Sequence, residues 1–341
     1  MARRVPDATR KILAVRLSSL GDIVHSMPGV AALRDAEPDA QIDWLVARTW
    51  APILEGSPAA DRLILFDKAP ATRIAQTVRE LQGNRYQVAV DFQGSYKSAI
   101  LTRLSGASRR VGFDRASARE PGAAMFYSDR VRAGGPHRVQ KNLSLSERLG
   151  APPAAEPKFP FRIADAAKHS VWERLAALGT ANFWVALPGG GWAGKLWPAD
   201  RYGELSLEIE RRLGLRALLI GGPGEQKLAE AAISAGKAAA PIRFPTTLPE
   251  LMAVLAEARF VVGGDTGPLH LAAALGVPVV GLYGPTDPAQ TGPYTKKSVV
   301  VRNARPEETS YRFSASPSRA MLSISVEQAV AAIARLRALA A

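Results

Sequence analysis

The residues with the clearest chemical potential lie in the segment 260–287. There Asp265, Thr266 and Gly267 follow a short apolar run that ends in two glycines. These residue types are typical of a helix start, where free backbone N–H groups suit a phosphate. Asp265 can bind sugar hydroxyls beside such a site, and His270 lies one turn along. The same pattern also fits an ordinary capped helix in an α/β core, so this segment alone leaves both interpretations open.

A second glycine-rich segment, 189–195, matches the dinucleotide-binding pattern G-x-G-x-x-G and the start of a P-loop. The P-loop pattern requires Ser or Thr after its lysine, but Leu196 follows Lys195. The dinucleotide pattern requires an immediate helix and an acid after the next strand. Pro198 delays the helix to about Asp200, and the next strand ends in glycines. We therefore reject both patterns and retain a loop that a ligand can approach closely, with a lysine able to bind phosphate.

One carboxylate near the N-terminus, Asp22, follows a glycine at the predicted start of a helix. The helix dipole stabilises a carboxylate there, so the pKa of Asp22 is expected to fall. The side chain can act as a base or simply cap the helix, and the residue types do not decide between these roles.

Positive charge is concentrated in the segment 97–141. It holds ten Lys and Arg residues against three acids, a local balance of +7 within a chain of net charge +13. Such a field favours a polyanion or an anionic membrane face. Nucleic acid is the general candidate, but no helix-turn-helix, zinc or aromatic-repeat signature accompanies the charge. A solvated basic face is the simpler alternative.

Composition limits the other possibilities. The 341 residues suffice for two α/β domains with full cores, and the absence of cysteine excludes disulfides, thiolate metal sites and cysteine nucleophiles. No apolar run reaches the ~18–20 residues needed to span a bilayer. The basic N-terminus lacks the features of a signal peptide, so we predict a cytoplasmic protein.

Strands and helices alternate along the chain, which predicts parallel, doubly wound sheets. In the first half we predict strands at 11–16, 42–46, 63–66 and 86–91, with helices ending near Glu37 and spanning 74–81. In the second half, helices at 166–178, 200–213, 225–235 and 248–257 alternate with strands at 183–187, 215–220 and 241–243, before the segment 260–287.

The proline-rich segment 151–160 is predicted as a linker. We therefore predict two Rossmann-like domains facing a cleft, at 1–160 and 161–320. The remaining segment, 321–341, contains a predicted amphipathic helix, Val326 to Leu339, which we expect to pack back on the N-terminal domain.

Together these segments resemble the ADP-heptose:lipopolysaccharide heptosyltransferases of glycosyltransferase family 9, which have the two-domain GT-B fold. The resemblance covers nearly the whole chain. The segment 18–28 is similar to the family's N-terminal loop, and the segments 91–98 and 111–121 resemble the type I members specifically. On the donor side the matching motifs are Lys195-Leu-Trp-Pro198, Gly264-Asp-Thr-Gly-Pro-Leu-His270 and Tyr283-Gly-Pro-Thr-Asp-Pro288.

The resemblance implies a role for each site residue. Asp22 corresponds to the proposed general base. The implied donor-binding residues are Gly190 and Gly191 near the nucleotide, Glu225 at the ribose, Lys195, Thr266 and Gly267 at the diphosphate with His270 nearby, and Asp265 at the heptose hydroxyls. The implied acceptor-binding residues are Ser19, Lys97 and Arg119, although Arg119 can instead pair with the adjacent Glu120. A helix N-terminus and a lysine can stabilise the ADP leaving group without metal, and the sequence has no D-x-D pair.

The implied activity is inverting, metal-independent transfer of L-glycero-D-manno-heptose from ADP-heptose to the Kdo of Kdo-lipid A. The resemblance requires no cofactor, and it implies a peripheral enzyme at the cytoplasmic face of the inner membrane. The alternatives are a later heptosyltransferase, another GT-B nucleotide-sugar transferase and, more remotely, a GT-B sugar epimerase. The non-enzymatic alternative is a basic protein that binds nucleic acid or membrane.

Overall fold

The computed structural model describes residues 10–222 and 224–340, and it divides the chain into two units between Arg162 and Ile163. This division falls just after the proline-rich segment 151–160. The basic N-terminal residues 1–9 lie outside the described residues. Among the residues that are described, no helix is both long and apolar enough to cross a bilayer.

The first unit contains a six-stranded parallel sheet. Its strands are β1 (Lys11–Val15), β2 (Gln41–Ala47), β3 (Arg62–Phe66), β4 (Val88–Asp91), β5 (Arg109–Phe113) and β6 (Asp129–Val131). Its helices are α1 (Leu20–Ala36), α2 (Ala71–Gly83), α3 (Tyr96–Leu104) and α4 (Arg138–Glu147), with a 3₁₀ segment at Pro121–Phe126. The strand order is β3-β2-β1-β4-β5-β6.

The second unit repeats this plan with another six-stranded parallel sheet. Its strands are β7 (Phe183–Leu187), β8 (Arg216–Leu219), β9 (Ile242–Arg243), β10 (Val261–Gly264), β11 (Val279–Tyr283) and β12 (Ser298–Arg302). Its helices are α5 (Asp165–Ala177), α6 (Ala199–Leu213), α7 (Gln226–Gly236), α8 (Leu248–Glu257), α9 (Gly267–Ala274), α10 (Pro288–Thr291), α11 (Arg319–Ser323) and α12 (Val326–Ala340). The strand order is β12-β11-β10-β7-β8-β9.

Each sheet has one point where the strand order reverses direction. In the first unit it lies between β1 and β4, and in the second between β7 and β10. In open α/β sheets, ligands bind beyond the carboxyl ends of the strands at such a point. The loops that follow these four strands are therefore the places where functional residues are expected.

Two helices of the second unit are held unusually close together. Gly203 on α6 lies against the backbone of Ala232 on α7, where any side chain would collide. Helix α6 follows the loop that carries Lys195, and α7 begins directly after Glu225. The close packing of these helices therefore restrains both loops.

The predicted strands and helices are present with small shifts, and strand 183–187 and helix 248–257 have the predicted bounds. Helices α3 and α4 were not predicted, because both are short and α4 has few apolar residues. The expected packing of the last helix on the N-terminal domain stays a prediction. The buried side chains of α12 belong to the core of the second unit, and the helix packs on α6, β11 and β12.

Candidate active site

Asp22 lies in the loop region after β1, in the first turn of α1. Ser19 precedes the helix, and its backbone N–H and hydroxyl donate to Asp22 Oδ2 at 3.3 and 3.2 Å. The carboxylate therefore caps the helix, which is one of the two roles that the sequence allowed for it. Its other oxygen, Oδ1, is used differently.

Two arginines bind Asp22 Oδ1. Arg16 Nη2 lies 2.8 Å and Arg138 Nη1 3.2 Å from this oxygen. Arg16 is buried at the end of β1 and also donates to the carbonyl of Phe92, which follows β4. Arg138 is half-exposed at the first position of α4, where the helix dipole disfavours a cation. Its position is therefore explained better by Asp22 than by its own helix.

Burial and charge act in opposite directions on Asp22. Burial raises the pKa of this carboxyl, but the charges of Arg16 and Arg138 outweigh burial and hold the pKa well below its usual range. Burial in turn lowers the pKa of the Arg16 guanidinium. Asp22 is consequently an ionised carboxylate at neutral pH, and its charge is balanced inside the protein.

The loops after β1 and β4 are joined beside Asp22. The N–H of Leu17 donates to Gln93 Oε1 at 2.9 Å. The loop that carries Arg119 adjoins them, because the Glu120 N–H donates to the carbonyl of Gly94 at 3.0 Å. The Glu120 carboxylate accepts a hydrogen bond from the Tyr96 N–H at 2.6 Å. Thus Glu120 orders the start of α3.

The predicted acceptor residues occupy this same edge of the first sheet. Ser19 contacts Asp22, while the side chains of Lys97 and Arg119 are exposed. Among the described residues, neither Lys97 nor Arg119 has an ion-pair partner, so the alternative pairing of Arg119 with Glu120 is not formed. Several other cations of the segment 97–141 are engaged in the fold, namely Arg109 with Asp129, Arg110 with Phe126 and Ala107, Arg130 with Ala124, and Arg138 with Asp22.

In the second unit, Asp265 follows β10 and joins two cationic or polar partners. Lys195 Nζ, from the loop after β7, lies 2.6 Å from Asp265 Oδ2, and His270 Nε2 lies 3.0 Å from Oδ1. Burial raises the pKa of Asp265, but the hydrogen bond from His270 and the charge of Lys195 lower it well below its usual range. The loop lysine and the helix start are therefore one charged cluster.

Thr266 and Gly267 form the N-terminus of α9 next to this cluster. The hydroxyl of Thr266 is buried and has no hydrogen-bond partner. A buried polar atom without a partner is costly unless a ligand or water satisfies it. With the free N–H groups of the helix start, it provides donors suited to an anion.

Glu225 bridges two glycine loops. Its Oε1 accepts a hydrogen bond from the Gly190 N–H at 3.2 Å, and its Oε2 accepts one from the Gly222 N–H at 2.6 Å. The carboxylate occupies the space where a side chain at Gly189 would lie, whereas the corresponding space at Gly191 is open. A ligand can therefore approach the backbone at Gly191 and reach the Glu225 carboxylate.

The structure thus brings the predicted donor residues together in the second unit and places Asp22 with Ser19 in the first. Sequence reasoning missed Arg16 and Arg138. The sequence contained a signal for Arg16, because this charged residue directly follows a predicted buried apolar strand. The sequence contained no such signal for Arg138, because this residue lies far from Asp22 along the chain. Among residues 10–222 and 224–340 there is no cluster of three or more His, Cys, Asp or Glu side chains able to hold a metal ion.

The family of this chain is identified by its similarity to known proteins. The sequence model of the family described as glycosyltransferase family 9 (heptosyltransferase) matches residues 74–317. The chain belongs to glycosyltransferase family 9. Lipopolysaccharide heptosyltransferase 1 of Pseudomonas aeruginosa is 34% identical over 301 residues, which cover 85% of this chain and 82% of the relative.

Solved structures agree with this family 9 assignment. The Escherichia coli heptosyltransferase WaaC with ADP has a TM-score of 0.77 at 29% identity, covering 96% of this chain and 99% of that chain. The same enzyme with ADP-2-deoxy-2-fluoro heptose has a TM-score of 0.75 at 28% identity, covering 95% and 99%. The predicted GT-B fold, the glycosyltransferase class and the resemblance to type I members are confirmed. The non-enzymatic alternative is set aside.

Replacing Arg138 by Gln should raise the pKa of Asp22 by about one or more, because one of two cations is lost while burial remains. Carboxyl ¹³C NMR titration measures this pKa, with the resonance assigned by its loss in Asp22→Asn. In the wild type, ionised Asp22 adds to the free energy of unfolding at pH values above the ordinary pKa of a carboxyl group. This contribution is lost as the pH falls from there towards the lowered pKa of Asp22. The matched control is Arg148→Gln, at the other end of α4, where Arg148 pairs with Asp129. An Asp22 pKa that is equal in both variants would contradict this electrostatic account.

Proposed function

We propose that this glycosyltransferase moves L-glycero-D-manno-heptose from ADP-heptose to the Kdo of Kdo-lipid A, with inversion at the anomeric carbon. The observation that carries the proposal is the ionised carboxylate of Asp22 at the carboxyl edge of the first sheet. The 34% identity with a lipopolysaccharide heptosyltransferase 1 supports the sugar and the type I acceptor.

In the proposed reaction, Asp22 accepts the proton of the acceptor hydroxyl as that oxygen bonds to the anomeric carbon. The bond from this carbon to ADP breaks, and ADP leaves from the opposite side with its electron pair. A low pKa keeps Asp22 ionised before the acceptor binds but makes it a weak base. An acceptor carboxylate at Arg138 would offset that cation and raise the basicity of Asp22.

The second unit supplies the proposed donor site. Lys195 and the N-terminus of α9 at Thr266 and Gly267 would bind the diphosphate, and His270 helps to fix Asp265. Asp265 would hold heptose hydroxyls, and Glu225 the ribose beside Gly190 and Gly191. The solved relative with ADP and with a fluorinated ADP-heptose supports a nucleotide-sugar donor of this kind.

The donor site predicts different effects for its two central charges. Lys195→Ala should weaken ADP binding by about tenfold to a hundredfold, because a charged hydrogen bond contributes roughly 1.5–3 kcal/mol. Asp265→Ala should spare ADP, since an anionic carboxylate does not attract phosphate, but should weaken ADP-heptose about tenfold by removing a sugar ligand. Isothermal titration calorimetry of each variant with ADP and with ADP-heptose measures these affinities. Equal losses of ADP affinity in the two variants would refute the assignment.

We further propose that the reaction needs no metal or other cofactor. Lys195 and the helix N-terminus supply the positive potential that ADP requires as it leaves. Turnover in EDTA should therefore stay within about twofold of the untreated rate, as measured by ADP release. Loss of turnover in EDTA that magnesium or manganese restores would show that a cation takes part.

The acceptor test separates the type I activity from a later heptosyltransferase. A Kdo acceptor presents carboxylates, which Arg119 can bind bidentately and Lys97 can attract. We place the enzyme at the cytoplasmic face of the inner membrane, where an acceptor of this kind would be embedded.

The enzyme should add one heptose to an acceptor ending in Kdo and leave an already heptosylated acceptor unchanged, as mass spectrometry will show. Arg119→Ala should lower kcat/KM for the Kdo acceptor by about tenfold, equivalent to ~1.4 kcal/mol, with little change in donor affinity. Preference for the heptosylated acceptor would overturn the type I assignment and retain the transferase. Arg212→Ala, which removes a cation from the second unit, is the matched control.

A further inference from the structure

The exposed large hydrophobic side chains of the first unit are concentrated in one place. Among its described residues they are Tyr96, Ile100 and Leu104 on α3, and Met125 in the adjacent 3₁₀ segment. Met125 is 71% exposed and Tyr96 48% exposed. We call these four residues the α3 patch. No other element of this unit exposes a large apolar side chain among the residues described.

The spacing of the patch residues places them on one surface. Tyr96, Ile100 and Leu104 are four residues apart, so they align along one face of α3. The helix packs on the 3₁₀ segment Pro121–Phe126, and the ring of Tyr96 lies against Gly122. Met125 therefore adjoins the apolar face of the helix.

Cations border the patch on both sides. Lys97 precedes Ile100 by three residues and Arg103 follows it by three, so the two lie on opposite flanks of the apolar face. Both are exposed, and neither has an ion-pair partner among the described residues. Helix α3 itself contains no acidic residue. The nearby Glu120 is engaged by the backbone of Tyr96.

We propose that the α3 patch, with Lys97 and Arg103, docks this enzyme on a bilayer that contains anionic lipid. An apolar face with basic flanks lies in the interface of such a bilayer, with its cations at the headgroups. A nine-residue helix is too short to span the membrane. The inference deepens the proposed function, since it rests on a lipid-embedded acceptor.

The charges favour a bilayer over a second copy of this chain. In a symmetric dimer the patch would face the same patch of the second copy. Lys97 and Arg103 would then lie opposite cations, and α3 offers no acidic residue to pair with them. An anionic lipid surface instead offers a counter-charge to both flanks. The patch also lies along the helix that follows the loop after β4, and the proposed acceptor residue Lys97 is one of its flanking cations.

The test measures flotation of the full chain with vesicles that contain no acceptor. The wild type should bind phosphatidylcholine vesicles containing about 30% phosphatidylglycerol, and bind pure phosphatidylcholine more weakly. The variant Ile100→Gln/Leu104→Gln/Met125→Gln should bind the anionic vesicles at least about tenfold more weakly. Lys97→Gln/Arg103→Gln should bind the anionic vesicles about fivefold more weakly for each charge removed, and should lose most of the preference for anionic lipid.

The matched control is Trp172→Gln/Leu339→Gln, which removes two exposed apolar side chains from the second unit and should leave vesicle binding unchanged. Circular dichroism and thermal unfolding establish that each variant is folded. The apolar triple variant should also retain wild-type turnover on a deacylated, water-soluble acceptor while losing turnover on the vesicle-embedded acceptor.

Equal vesicle binding by the wild type and the triple variant would overturn the proposal, as would a wild type that does not bind anionic vesicles. A dimer that dissociates in the triple variant, without vesicle binding, would also overturn it and assign the patch to self-association. Because these vesicles hold no acceptor, docking and transfer are tested separately. An enzyme that binds the vesicles but transfers no heptose would refute the proposed function alone.

Discussion

The balance between burial and charge at Asp22 is the interaction on which the first unit depends. Burying a carboxylate is costly unless cations and hydrogen bonds compensate for the lost water. Arg16 supplies one cation from the residue that follows β1 and Arg138 another from α4, while Ser19 supplies two hydrogen bonds. Arg138 lies 116 residues along the chain from Asp22, so the carboxylate links the end of the first strand to the last helix of the unit.

The second unit also has a buried carboxylate at the reversal point of its sheet, but after the other of the two central strands. Asp265 follows β10 at the reversal point of its sheet, and Lys195 and His270 compensate its burial. The two sheets have the same topology, but the functions proposed for their carboxylates differ because their surroundings differ. Asp265 lies beside donors suited to an anion. Asp22 lies at the same edge of its sheet as Lys97 and Arg119, the exposed cations proposed to bind an anionic acceptor.

Most of the fold could be predicted from the sequence, because buried parallel strands are continuous apolar runs punctuated by glycine and proline. Glycine-rich turns also identified the donor loops around Lys195 and Asp265. Contacts between distant residues could not be predicted. Nothing local indicates that Arg138 reaches Asp22, and the packing of α12 on the second unit depends on which apolar face is left uncovered by other helices. The exposed apolar face of α3 was missed because α3 itself was not predicted.

The most direct test of the account is the rate of heptose transfer by Asp22→Asn, in a single-turnover reaction with saturating ADP-heptose and a Kdo-terminated acceptor. The carboxamide keeps the size of the side chain but cannot accept the proton. Circular dichroism and calorimetry with ADP-heptose show whether the variant is folded and binds its donor. The account predicts wild-type donor affinity and a rate lower by about 10²–10⁴-fold. A folded variant with a rate within a few-fold of the wild type would contradict it.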